Sequence, residues 1–159
     1  MQKSNFERMI ELADEVFSSK NDPQQLNVNE AVMEGLFKIH PACLSEYEEG
    51  EGPLAWIIVI PTSKRIMNAF LKKEISEKEL YEQTLNERRL ETIYLCSALV
   101  LGEYRKKGIA KKTCLEAIEK IQKNHGIDTL FVWSFTPEGL HCAESISKAT
   151  KLALLKRED

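Results

Sequence analysis

The apolar positions of the chain recur with helical spacing near its start and in unbroken runs further on. Two helical stripes come first: Phe6, Met9, Ile10, Ala13, Val16 and Phe17, then Val28, Val32, Leu36 and Ile39. The first helix is expected to end at residues 21–23 (Asn-Asp-Pro), and the second at His40-Pro41. Asn27 with Glu30 resembles a capping box for the second helix. The pattern predicts a helical N-terminal part over residues 1–50.

Longer apolar runs predict strands at residues 54–60, 94–101 and 128–135, with a last short strand at residues 152–155. Residues 46–53 contain four carboxylates and predict a loop, either a solvated surface, which is the favoured interpretation, or an acidic rim that attracts a cationic amine. Helices are predicted at residues 64–73, from the capping box of Ser76 and Glu79 to about residue 87, and from Thr136-Pro137 onward. Leu140, Ala143, Ile146 and Ala149 are the expected inward positions of that last helix.

The strands at residues 94–101 and 128–135 are joined by a helix that opens near Gly108. Its apolar stripe consists of Ala110, Cys114, Ala117, Ile118 and Ile121. Residues 91–135 therefore form a βαβ unit, whose two strands should be parallel and whose crossover should be right-handed.

Composition and charge narrow the class of protein. The 159 residues carry a net charge of −3, with 43% apolar and 30% charged residues, which is typical of a single soluble domain spanning residues 1–159. This balance disfavours nucleic-acid binding, and no apolar run is long enough for a membrane span. The first residues do not resemble a signal peptide, so a cytoplasmic location is expected. The cysteines are expected to be reduced, and the lone His40/Cys43 pair makes a metal site an unfavoured interpretation.

The turn before the central helix is basic and contains glycine. Gly102 and Gly108 supply backbone freedom, and the first amides of a helix have no internal partners. Five cations follow within eight residues: Arg105, Lys106, Lys107, Lys111 and Lys112. Because cations at a helix start oppose the macrodipole, a bound polyanion explains them better than local stability does. A solvated basic face is the alternative, and the strand–turn–helix setting favours the polyanion.

The sequence V-L-G-E-Y-R-K-K-G-I-A over residues 100–110 resembles the central motif of the GCN5-related N-acetyltransferases. Arg105, Gly108 and Ala110 fill the diagnostic positions of Val-x-x-x-x-Arg/Gln-x-x-Gly-x-Gly/Ala, and Val100 fills its apolar start. Gly102 stands where many members have proline. The resemblance extends loosely from Gly52 to Thr136. It implies a mixed α/β fold with a central mixed sheet flanked by helices, from which this chain is expected to depart by extra helices in the N-terminal half and a shortened C-terminus.

The resemblance also implies acetyl-CoA as co-substrate, with no metal. Its pantetheine arm would lie in a gap between residues 97–101 and 130–134, paired with backbone groups of Leu99 and Leu101. An N–H near Val100 would polarise the thioester carbonyl. The diphosphate would lie on the amides of residues 105–110. The implied cofactor-binding residues are Leu99, Val100, Leu101, Arg105, Lys106, Lys107, Gly108, Ile109, Ala110 and Lys111.

Two departures leave the catalytic residues and the amine acceptor unknown. Ser147 occupies the position of the family's usual tyrosine acid, and no terminal hairpin follows the last strand. His141, Cys142 and Ser145 lie near that position in the sequence. A homodimer would be one way to complete the acceptor pocket. The chain is thus interpreted as an N-acetyltransferase for a small-molecule or protein amine, with a non-catalytic acyl-CoA-binding module as the alternative. A nucleotide domain is a weaker third possibility, because no Walker or G-x-G-x-x-G motif is present.

Overall fold

The computed structural model describes residues 3–18, 26–133 and 136–158. Its helices are α1 (Asn5–Ser18), α2 (Glu30–Ile39), α3 (Lys64–Leu71), α4 (Glu77–Thr84), α5 (Ile109–Gln122) and α6 (Pro137–Thr150). Its strands are β1 (Leu44–Glu48), β2 (Pro53–Thr62), β3 (Thr92–Val100), β4 (Thr129–Val132) and β5 (Ala153–Lys156). The expected end of the first helix at residues 21–23, the end of the third predicted strand at residues 134–135 and the side chain of Phe17 lie outside the described part.

The strands form one mixed sheet in the order β1-β2-β3-β4-β5. The pairs β1/β2 and β2/β3 are antiparallel, while β3/β4 and β4/β5 are parallel. The predicted parallel pairing across the βαβ unit is therefore confirmed, with α5 as the connection. The mixed α/β class is confirmed as well.

Helices cover both faces of the sheet, and each face has its own core. On one face Met9 of α1 and Phe70 of α3 pack with Tyr94 of β3, among residues that also come from α2 and α4. On the other face Ile118 of α5 and Ile146 of α6 pack against the sheet. Burial of apolar side chains on both sides explains why the central strands are apolar almost without interruption.

Several local predictions are corrected. Residues 46–48 of the expected acidic loop belong to strand β1, where exposed Glu46 and Glu48 alternate with half-buried neighbours, and Pro53 belongs to β2. The cap of α2 is Asn29, whose side chain accepts from the Val32 amide, and not Asn27. Helix α4 ends at Thr84, short of the expected residue 87. On α6, Ala143 and Ile146 are buried as expected, while Ala149 is exposed.

A buried polar cluster joins α4 to the sheet. The Glu77 carboxylate, which is 3% exposed, accepts a 2.5 Å hydrogen bond from the Tyr94 hydroxyl and a 2.6 Å bond from the Leu26 amide. Arg157 stacks its guanidinium 4.4 Å from the centroid of the Trp133 ring and donates to the Ile75 carbonyl. Hydrogen bonding offsets the cost of burying the Glu77 carboxylate.

Candidate functional site

Strand β3 extends well past its parallel neighbour. Its pairing with β4 begins at Thr92 and ends at Leu95, opposite Val132, although β3 continues to Val100. Beside this point a bulge interrupts the pairing with β2, because Ile58 pairs with Ser97 and Val59 with Leu95, which leaves Cys96 as the extra residue. Among the described residues, the last part of β3 is thus paired on its β2 side alone.

The backbone N–H and C=O groups at the end of β3 alternate between two directions, toward β2 and toward the gap on the other side. The Leu101 amide donates a 3.0 Å hydrogen bond to the Leu54 carbonyl, next to β2. Because backbone groups alternate sides along an antiparallel strand, Leu99 also faces β2, while Ala98 and Val100 face the gap. The backbone groups of Leu99 and Leu101, which were expected to meet a ligand, are thus directed at β2, and those of Ala98 and Val100 are directed at the gap.

The turn between β3 and α5 is tightly folded. A short 3-10 turn spans Gly102–Tyr104, and both Lys106 (φ 63°) and Gly108 (φ 77°) have left-handed backbone conformations. Gly108 caps α5, where a side chain other than glycine would be strained by about 1–2 kcal/mol. A left-handed residue followed by a right-handed helix turns successive amides toward one side, an arrangement that binds anions.

The amides of this turn divide into two groups. Those of Tyr104 and Arg105 donate to the carbonyls of Leu101 and Gly102, and the amide of Lys112 makes the first bond of α5, to the Gly108 carbonyl. The amides of residues 106–111 lie between them and have no acceptor within the described ranges. This unpartnered run begins three residues before the helix, so it is longer than a helix start alone would leave.

The positive charge around the turn is not neutralised by neighbouring carboxylates. Within residues 3–18, 26–133 and 136–158, none of the five cations Arg105, Lys106, Lys107, Lys111 and Lys112 forms a salt bridge. The nearby carboxylate of Glu103 pairs with Arg8 at 2.6 Å, and this hydrogen bond lowers the pKa of Glu103. Lys107 lies 5.5 Å from the centroid of the Tyr104 ring. The surface is therefore suited to a polyanion.

A cavity of about 780 Å³ opens between the end of β3, the start of α5 and α6. The sequence-predicted residues that line it are Leu99, Val100, Arg105, Lys106, Gly108, Ile109, Ala110 and Lys111. Leu101 is buried against β2, and Lys107 lies over Tyr104, so these two are placed beside the cavity wall. The structure thus brings most of the predicted set together.

Sequence reasoning did not anticipate the part that α1 plays in this cavity. Leu12 and Val16 of α1 line it, together with Tyr104 of the turn. The stripe on α1 predicted a packed helix, and no local signal identified which element it would meet. From α6, Glu138, His141, Cys142 and Ser145 line the cavity, which gives the last three the geometric placement that the sequence lacked.

The side chain at the family's tyrosine position does not reach the cavity. The Ser147 hydroxyl donates a 2.6 Å hydrogen bond to the Leu152 carbonyl and so fastens the end of α6 to β5. Burial raises the pKa of the Cys142 thiol, and Lys111 partly opposes this shift. A thiol with a raised pKa is a poor nucleophile at neutral pH. His141 and Ser145 remain as polar groups on the α6 side of the cavity.

No group of three or more histidine, cysteine, aspartate or glutamate side chains in the described ranges is arranged to hold a metal ion. The four cysteines are free thiols. None of the described helices combines the length and the apolar character that a membrane crossing requires. No protein-family model, curated protein or solved structure matches this chain.

Proposed function

We propose that the protein is an N-acetyltransferase of the GCN5-related type, which binds acetyl-CoA at the turn between β3 and α5 and transfers the acetyl group to an amine. The observation that carries the proposal is the unpartnered run of amides at residues 106–111, beside five cations that form no salt bridge within the described residues. A diphosphate satisfies such donors and such charge at once.

The gap beside β3 supports the same assignment. Ala98 and Val100 direct backbone donors and acceptors into it, and these match the two amides of a pantetheine arm. The Val100 carbonyl accepts from Arg105, and the Val100 amide, which faces the gap, is available to polarise a thioester carbonyl. The residues that hold the arm and the residues that hold the diphosphate are therefore consecutive along the chain.

In this mechanism the amine nitrogen attacks the thioester carbonyl, the C–S bond breaks, and the amine proton leaves while the thiolate takes up a proton. A lysine-like amine has a pKa near about 10.4, so a proton acceptor must assist it. His141 and Ser145 lie on the cavity wall where such transfers would occur. The acceptor amine and the residues that move its proton are left open by the proposal.

Incubation with acetyl-CoA and a panel of amines tests this function by the release of free thiol. Release that depends on both acetyl-CoA and an amine is the expected result. Release with none of the amines, while a known acetyltransferase releases thiol from the same panel, would contradict the catalytic part.

A non-catalytic acyl-CoA-binding module is the second candidate. It is favoured by Ser147, which is bonded to Leu152 at the position where the family usually has its acid. Calorimetry would then show CoA binding without thiol release under any acceptor condition. Steady-state acetylation of any amine would exclude this candidate.

A further inference from the structure

A second chamber of about 330 Å³ adjoins the cavity at its inner end. Ser97, Ala98, Ala110 and Cys142 line both spaces, so the two are continuous. The chamber reaches the point where β3 and β4 part, because Leu95 and Val132, the last paired residues, are in its wall. In the proposed binding mode, this is where the thioester end of the ligand lies.

The wall of the inner chamber is apolar. The sheet contributes Ile57 and Val59, which are 2% and 1% exposed, and the helices contribute Cys114 of α5 and Ile146 of α6. None of the described residues that line it is charged. An ammonium group would lose its hydration there without gaining a carboxylate, whereas a hydrocarbon chain would gain contact.

We propose that the inner chamber is an acyl-chain site and that the preferred acyl donor carries a hydrocarbon chain longer than acetyl. The inference rests on the proposed function, since it requires the CoA portion at the turn, and it replaces acetyl by a longer acyl group as the preferred group to be transferred. The volume of the chamber, about 330 Å³, exceeds what an acetyl group fills. Each further methylene buried there strengthens binding by about fourfold.

Calorimetry with CoA, acetyl-CoA, butanoyl-CoA, hexanoyl-CoA and decanoyl-CoA tests the inference. The expected result is affinity that rises from acetyl to hexanoyl by at least about tenfold and levels off once the chain is longer than the chamber. Equal affinity for CoA and all thioesters would overturn the acyl-chain site and leave the proposed CoA site standing. Absence of binding by CoA and by every thioester would overturn the proposed function itself.

Two variants on α6 change the size of the chamber in opposite directions. Ala143→Leu adds bulk at a residue that is 3% exposed and lines the chamber, so it should remove the hexanoyl preference while CoA affinity stays unchanged. Ile146→Ala enlarges the same space and should move the preferred chain toward decanoyl. Ala149→Leu, on the exposed side of α6, is the matched control and should leave the dependence of affinity on acyl-chain length unchanged. If Ala143→Leu does not fold, an unchanged preference for acyl-chain length in Ile146→Ala overturns the inference.

Discussion

The Nε atom of Arg105 donates a 3.1 Å hydrogen bond to the carbonyl oxygen of Val100, five residues earlier in the chain. This contact closes the loop between the end of β3 and the basic turn. Because the guanidinium has several donors in a fixed fork, Nε can hold the backbone while the terminal nitrogens remain on the cavity side. Arg105 is therefore a positioning residue for the turn as well as one of its charges.

Arg105→Lys tests this positioning role, because it keeps the charge and removes the fork. We expect CoA affinity to fall by about tenfold, the cost of one hydrogen bond to a charged group, as measured by calorimetry. Arg89→Lys is the matched control, since Arg89 is exposed and lies away from the cavity. Wild-type affinity in Arg105→Lys would show that charge alone matters at this position.

Gly108→Glu places a carboxylate on the residue that caps α5. No atom lies within 4 Å of the added Cβ, so the fold should persist by circular dichroism, with a strain of about 1–2 kcal/mol from the left-handed φ. CoA binding should be lost almost completely, because negative charge then faces the diphosphate. Gly50→Glu provides the same strain, at φ +60° with open space around it, and should bind CoA normally. Equal binding by both variants would show that the turn is only structural.

Cys142 should report occupancy of the cavity. Its thiol is half-buried and lines both chambers, so a bound thioester should slow its alkylation by N-ethylmaleimide several-fold. Cys43 is the internal control, because it lines neither space and burial raises its pKa to about 12, which keeps it unreactive in the folded protein. Labelled peptides are quantified by mass spectrometry. An alkylation rate of Cys142 that CoA thioesters do not change would contradict the placement of the ligand.

The pair of Tyr94 and Glu77 should make stability fall at alkaline pH. Burial, followed by the Glu77 charge, raises the pKa of Tyr94 well above its usual value. Above about pH 10 the unfolded chain loses this phenolic proton and the folded chain retains it, so the free energy of unfolding decreases as pH rises through that range. Urea unfolding at pH 8 and pH 10.5 measures the decrease.

In Tyr94→Phe that alkaline loss should be smaller. The variant should also be less stable at pH 8 by about 1–3 kcal/mol, because Glu77 is left without one donor. An unchanged pH dependence in the variant would show that Tyr94 does not contribute to it.

Gly35→Ala should destabilise the packing of α2 on α4. An added Cβ would overlap the Tyr81 hydroxyl, which donates a 3.3 Å hydrogen bond to the Val32 carbonyl. We expect a loss of about 1–3 kcal/mol in urea unfolding, typical of overpacking. Gly126→Ala, where no atom lies within 4 Å, should change stability by less than about 1 kcal/mol. A neutral Gly35→Ala would mean that Tyr81 moves aside at no cost.

Much of the fold could be predicted because local patterns agreed with the final packing. The apolar run that became β2, the capping box of Ser76 and Glu79, and Thr136 before Pro137 each have a local physical cause. Strand β1 was missed because its carboxylates suggested solvent, whereas its pairing depends on β2, which follows it in the chain. Long-range pairing of this kind has no local signal.

The candidate site likewise has features that the sequence predicted and features that depend on long-range packing. Gly108 and the cations were predictable, because a left-handed backbone conformation and a local concentration of charge each depend on a few consecutive residues. The direction of the Leu101 amide depended on the register between β3 and β2, which the bulge at Cys96 shifts by one residue. The contribution of Leu12 depended on how α1 crosses the sheet, which its own stripe does not specify.

Within residues 3–18, 26–133 and 136–158, nothing pairs with the side of β3 that faces away from β2 beyond Cys96, so a strand edge lies in the middle of the sheet. Such edges are templates for aggregation when a second chain reaches them. Here Leu12 and Val16 of α1, with the first turns of α6, narrow the approach to Ala98 and Val100. A β-strand of a second chain could pair with this edge only if α1 and α6 moved away from it. A thinner ligand that contains amide groups, such as a pantetheine arm, would not require that movement. The positions of α1 and α6 therefore limit edge-to-edge pairing of β3 with a strand of a second chain.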